Sequence, residues 1–170
     1  MNSITINNEE VEVVDSFKYL GTIVDSKLSF DAHVHEVYKK ANQGMYMLRK
    51  LRGFGVSSRV LTNVYRSLIE SVLSCNAVSW AGNLTVENKK KLNRIINEAS
   101  KIVGAPQLQL TNLYQLAVRR KAYGITGDKT HPLFSRFKLL KSGRRYDVPL
   151  AKKNIHKRSF VPSAISILNG

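Results

Sequence analysis

The run Phe17-Lys18-Tyr19-Leu20-Gly21-Thr22-Ile23-Val24, together with the residues it feeds as far as Leu51, decides how the rest of the chain is read. Aromatic and β-branched residues dominate the run, which predicts a strand, with Gly21 as a point where a backbone or ligand can approach closely. Asp25-Ser26-Lys27 breaks it. From Asp31, the apolar residues Val34, Val37, Tyr38, Ala41, Met45 and Leu48 recur at three and four positions, the buried stripe of a helix that stops at Gly53.

Upstream, Ser3-Ile4-Thr5-Ile6, a turn at Asn7-Asn8-Glu9 and the alternating Glu10 to Val14 predict a hairpin, which with Phe17 to Val24 makes a small three-stranded antiparallel sheet. Strands this short need helices against one face. Downstream, Ser57 or Ser58 caps a second helix with Leu61, Val64, Tyr65, Leu68 and Val72 inward, ending around Cys75 to Trp80. Thr85 caps a third, with Leu92, Ile96, Ala99 and Val103 as its stripe, Ile95 and Ile102 beside it, and Gly104 and Pro106 as its stop. Leu113, Leu116 and Ala117 suggest a fourth helix running into Arg119-Arg120-Lys121, Thr126 to Ser159 read as an extended basic segment, and Pro162 to Leu168 as a short last helix. The expected class is mainly α (α+β): a β region over 1–28, a three- to four-helix bundle over 29–104, and a C-terminal helix with a basic, loop-rich tail over 105–170.

Charge narrows the function. The 170 residues carry 27 Lys and Arg against 12 Asp and Glu. Residues 1–30 hold two basic and five acidic side chains, a net of −3, so the other 140 residues hold 25 basic and seven acidic, a net of +18. Such a surface attracts polyanions, and nucleic acid is the expected partner, as RNA or DNA. No apolar run approaches the roughly 18 residues of a membrane span, and Met1-Asn2-Ser3 does not open a signal peptide, so an intracellular protein, nuclear or cytoplasmic, is expected. The lone Cys75 excludes an intrachain disulfide and a Cys-rich zinc site. His33 and His35 at a helix start point about 200° apart, which does not suit a shared metal. Ser74, Cys75 and the other histidines form no triad, and Trp80 reads as core.

Three ordered blocks carry a resemblance that spans almost the whole chain: Phe17-Lys18-Tyr19-Leu20-Gly21 with Leu28-Ser29-Phe30 and the helix behind, His131-Pro132-Leu133 with Ser142-Gly143-Arg144-Arg145-Tyr146, and Ser159-Phe160-Val161-Pro162-Ser163-Ala164-Ile165. Together they resemble the last palm block, thumb and C-terminal segment of the reverse transcriptases (RNA-directed DNA polymerases) of non-LTR, LINE-type retrotransposons, especially those of fish elements. The resemblance implies that Lys18, Tyr19 and Gly21 belong to a primer grip and that the helices after it lie along a template-primer duplex. The bland reading places Tyr19 and Leu20 in a strand core. Polymerases of this kind hold paired Mg²⁺ on carboxylates. The chain has no Asp-Asp pair, and Glu9-Glu10 with Glu12 read as a solvated turn, so no catalytic residue, metal or cofactor is expected.

The basic clusters are the remaining candidates: Arg49, Lys50 and Arg52 at a helix C-terminus, Lys90, Arg94 and Lys101 along a helix, and Arg144, Arg145, Lys152, Lys153, Lys157 and Arg158 in the tail. Each alone reads as solvated surface, and the first is favoured by the helix dipole. Together they favour phosphate-backbone contact. Two alternatives stand beside this reading. Lys27 to Gly53 also resembles the N-terminal segment of the AlkB-homologue family that modifies tRNA, although the oxygenase's His-x-Asp and a methyltransferase's Gly-rich loop are absent from the sequence. The other is a basic helical protein-interaction module.

Overall fold

The computed structural model describes residues 4–170, so the expected roles of Met1 to Ser3 lie outside the described residues. Two separate antiparallel hairpins open the chain. Strand β1 (Ile4–Ile6) pairs with β2 (Glu9–Val11), and β3 (Ser16–Tyr19) pairs with β4 (Thr22–Asp25) in the register Phe17 opposite Val24 and Tyr19 opposite Thr22. The expected continuous strand from Phe17 to Val24, and with it the three-stranded sheet, is therefore corrected. Leu20 and Gly21 both take positive φ, 44° and 84°, and form the two-residue turn that reverses the chain. Gly21 marks a turn and not a strand interior, because only a residue without Cβ adopts that φ at no steric cost.

The joint after β4 is built on one carboxylate. Asp25 accepts hydrogen bonds from the backbone N–H groups of Lys27 (3.0 Å), Ser29 (3.0 Å) and Phe30 (2.7 Å), and from the Ser29 hydroxyl (3.2 Å). Those bonds hold Leu28 and Phe30 at φ of 53° and 60°, a conformation that costs any residue with a Cβ. They launch helix α1 (Asp31–Gly53), which buries Val34, Val37, Ala41, Met45 and Leu48 as expected, half-buries Tyr38, and buries His33 and Gly44 as well.

The second helix departs from a regular spiral. It runs as α2 (Ser58–Tyr65), a π-helical turn (Arg66–Glu70) and α3 (Ser71–Ser74). Its buried residues are Leu61, Tyr65, Ile69 and Leu73, spaced by four throughout. In an α-helix that spacing drifts about 40° per step; the wider π turn absorbs the drift and keeps all four on one face. Leu68, expected inside, is thereby exposed and Ile69 takes its place, while Val72 is only half-buried. Gly44 makes the close approach to α1 possible: a Cβ there would stand 2.8 Å from Ile69 Cγ1 and 3.1 Å from the Leu68 carbonyl oxygen.

After α4 (Ala77–Trp80) and a short 3₁₀ turn (Ala81–Asn83), helix α5 (Val86–Val103) opens on Thr85, whose hydroxyl accepts the Asn88 N–H at 3.1 Å, and closes at Gly104 with φ 78°. Trp80 is fully buried, its indole N–H donating to the Cys75 carbonyl at 3.0 Å. Helix α6 (Leu110–Thr126) continues through the Arg119-Arg120-Lys121 run, inward through Leu110, Leu113, Val118, Ala122 and Ile125. Leu116, expected inside, is exposed.

Beyond Thr126 the tail is loop-rich and ends in a short helix, as expected, but it packs back onto α6 and is not extended. A turn in which the Asp128 carboxylate accepts from the Thr130 N–H and hydroxyl leads to a 3₁₀ turn (Phe134–Arg136), then α7 (Asn154–Lys157) and α8 (Phe160–Leu168). Phe137, Ala164 and Ile165 form a second core with Val118, Ala122 and Ile125 of α6. Asn169 ties this region shut by bonding both the N–H (2.8 Å) and the carbonyl (2.9 Å) of Tyr146. The apolar residues that anchor it are isolated in sequence and show no period.

Truncating Ile69 to Ala should cost about 2–5 kcal/mol, whereas Leu68→Ala should cost about 1 kcal/mol or less. Chemical denaturation of both variants checks this, and equal costs would contradict the π turn. Gly44→Ala should destabilise by about 1–3 kcal/mol through overpacking against Ile69, despite the better helix propensity of Ala.

Candidate nucleic-acid interface

Helices α1 and α5 lie side by side and run in the same direction. Three cross-links occur in the same order along both: the Asn88 amide donates to the Asp31 carboxylate at 2.6 Å, the Lys91 ammonium sits 4.5 Å from the centre of the Tyr38 ring, and Arg49 pairs with Glu98 at 3.1 Å. The last pair is half-exposed and is worth about 1 kcal/mol or less in water. The pair matches one acidic with one basic side chain on this surface.

This parallel pairing puts two of the predicted clusters on one side of the bundle. Lys90, Arg94 and Lys101 are exposed and, at spacings of four and seven, share one stripe of α5 about 16 Å long. A duplex presents about five phosphates per strand over that length. Lys50 and Arg52 close the last turn of α1 near the end of the stripe, with Lys50 also 5.6 Å from the Tyr46 ring centre. Arg49 is the exception, since its guanidinium is held by Glu98.

At the other end of the stripe the tail meets α5. Lys89, Lys157 and Arg158 line a cleft of about 310 Å³ together with Thr111, Tyr114 and Gln115 of α6 and Ser163 and Ser166 of α8. The sequence reading missed the five uncharged members of this group, and no spacing signals them, because they come from two helices that only the tail brings together. Lys152 and Lys153 precede α7 and are exposed; Arg144 and Arg145 sit in a separate turn between Leu139 and Tyr146.

The hairpin residues stand apart from this surface. Tyr19 is 63% and Leu20 81% exposed, so neither belongs to the core, and Lys18 and Gly21 are exposed with them. Gly21 and Thr22 border a different cleft, beside His33, Glu36 and Lys40. Among the described residues no group of three or more His, Cys, Asp and Glu side chains is placed to hold a metal ion, and no described helix is long and apolar enough to cross a membrane.

His33 links the hairpin to the bundle. Its Nδ1 accepts the Ile23 N–H at 3.4 Å, and its ring meets Trp80 edge-on at 5.0 Å. Burial pushes the imidazole below its ordinary range, the Lys40 ammonium adds to this, and Glu36 opposes it. At Asp25, burial works to raise the pKa, but bonds from the Ser29 and Phe30 N–H groups, the Ser29 hydroxyl and the Lys27 N–H outweigh it and hold the carboxyl below its usual range.

Comparison with known families gives one match. The family model described as "Alkylated DNA repair protein alkB homolog 8, N-terminal" covers residues 30–71, from the Phe30 joint through α1, α2 and the π turn. That segment, about a quarter of the chain, is similar to the AlkB-homologue N-terminal family and extends past the Lys27 to Gly53 stretch noted in the sequence. No curated protein and no solved structure matches the chain.

Two windows of pH dependence follow from these groups. His33 is neutral in the fold and binds protons more readily when unfolded, so its contribution is complete above about pH 6.5 and declines as the pH falls below that value. Asp25 has a depressed folded pKa, so its contribution is present above about pH 3.8 and is lost as the pH falls through the lower folded value. Urea melts across pH should show both declines; His33→Phe should flatten the upper window and Asp25→Asn the lower.

Proposed function

We propose that this chain binds the phosphate backbone of a nucleic acid along the paired helices α1 and α5, as the thumb-like part of a non-LTR, LINE-type reverse transcriptase, and that it does so without polymerising. The observation that carries the reading is the single exposed stripe of Lys90, Arg94 and Lys101 beside the basic last turn of α1. Its neighbour Glu98, which would repel phosphate, is already paired with Arg49. The resemblance of the three ordered blocks supports the retroelement assignment and suggests that the exposed Lys18 and Tyr19 add a contact to a primer strand. Contacts of this kind position a duplex without reading its sequence.

A second reading rests on the family match over residues 30–71. It makes the chain an accessory segment of an enzyme acting on an alkylated nucleic acid, that family's description naming alkylated DNA. Nucleic acid is the partner in both readings. They part on structure preference: the thumb reading favours an RNA-DNA template-primer, the other an alkylated strand over its unmodified counterpart.

Equilibrium binding to a labelled template-primer, an unpaired RNA, a duplex DNA and an alkylated strand, each at several salt concentrations, separates them. The expected log K falls with log salt at a slope equivalent to about five or more phosphates. Replacing Lys90, Arg94 and Lys101 together by Ala should shallow that slope by about two to three on the duplex. Absence of binding at low salt by the folded chain would reject both readings.

A further inference from the structure

We infer that the cleft between the start of α6 and the α7–α8 junction is a discrete site for a phosphoryl group. Three cations, Lys89, Lys157 and Arg158, line it, and no lining residue is acidic. Hydroxyl groups of Thr111 and Ser163 and the Gln115 amide supply neutral donors around the same space. Two helices begin there. Neither α6, of 17 residues, nor α8, of nine, has an acidic side chain in its first turn; the Asn93 side-chain oxygen accepts the Leu110 N–H that opens α6 at 2.9 Å, but no negative charge offsets the positive end of either dipole.

Tyr114 adds an independent sign. Its hydroxyl is shielded from water and has no hydrogen-bond partner among the described residues, an arrangement that costs stability and that a ligand oxygen relieves once the adjoining wall shifts slightly to admit it. The wall is tight at this point. A Cβ on Gly82 would stand 2.7 Å from the Tyr114 hydroxyl and 2.6 Å from the Arg158 carbonyl oxygen, so a glycine keeps the Arg158 backbone against the cleft. The volume of about 310 Å³ is at the small end of ligand sites and admits a phosphoryl group with the sugar that carries it.

The group can come from the end of a nucleic-acid strand or from a free mononucleotide. The first source rests on the backbone-binding reading above, since Lys89 adjoins the Lys90 end of the α5 stripe; the second does not. The test is an amide-resolved NMR titration of the full chain with inorganic phosphate, then with adenosine monophosphate, and then with one oligonucleotide bearing either a 5′-phosphate or a 5′-hydroxyl.

Saturable shifts centred on Thr111, Tyr114, Gln115 and Ser163 are expected, weakened at least tenfold by the Lys157→Ala/Arg158→Ala double variant. Tyr114→Phe should weaken phosphate binding several-fold while leaving the chain as stable or more so, a combination that a purely structural tyrosine would not produce. Tighter binding of the 5′-phosphorylated oligonucleotide assigns the site to a strand end; equal competition by the mononucleotide assigns it to a free ligand. Non-saturating shifts spread over all basic surfaces, or saturation unchanged in the double variant, would overturn the inference. The Lys90→Ala/Arg94→Ala/Lys101→Ala variant keeps the two readings apart, because it should lose duplex affinity and retain phosphate saturation. If the duplex binds and phosphate does not saturate, this inference alone falls.

Discussion

The bundle depends on the apolar stripe of α1, which no single partner covers. Val34, Val37, Ala41, Met45 and Leu48 are all buried, and they are enclosed by the second helix on one side and α5 on the other. Two partners can fit only if one comes very close. Gly44 provides the space and the π turn of residues 66–70 provides the matching surface, since a regular helix would have rotated Ile69 away from the contact. The residues matched by the AlkB-homologue family model run from Phe30 through that turn, so the similarity covers the part of the chain with the strictest packing demands.

The same packing organises the charge. With the apolar faces of α1 and α5 directed inward, their basic residues have only solvent to occupy, and the parallel arrangement of the two helices gathers them on one side. The cross-links Asp31–Asn88, Tyr38–Lys91 and Arg49–Glu98 fix the relative height of the helices, and the last pairs one surface carboxylate with a cation. A positive field thus results from ordinary helix packing and needs no dedicated binding element.

A second core makes the C-terminal half part of the fold. Helix α6 belongs to both clusters, with Leu110 and Leu113 in the first, Val118, Ala122 and Ile125 in the second, and Tyr114 touching each. The segment after Thr126 is therefore held by scattered anchors, among them Phe137, Tyr146 and Asn169. Because of this, Lys157 and Arg158 stand opposite Lys89 and do not trail in solvent.

Where burial follows a helical period, the sequence by itself determined the result. The stripes of α1 and α5, the Thr85 cap, the Gly104 stop and the buried Trp80 all follow from spacing and from local hydrogen-bond and φ requirements, which neighbouring residues settle among themselves. Tertiary structure decided the remainder. The Leu20-Gly21 turn divides what reads as one strand, because a short apolar run looks the same with or without a reversal until its pairing is known. The exchange of Leu68 for Ile69 depends on how near α1 lies, and the cleft lined by Lys89, Lys157 and Arg158 depends on bringing α5, α6 and the α7–α8 junction together. Local pattern encodes which face of an element is buried; it carries no record of which distant element covers that face, because that choice is made by shape and volume across the whole core.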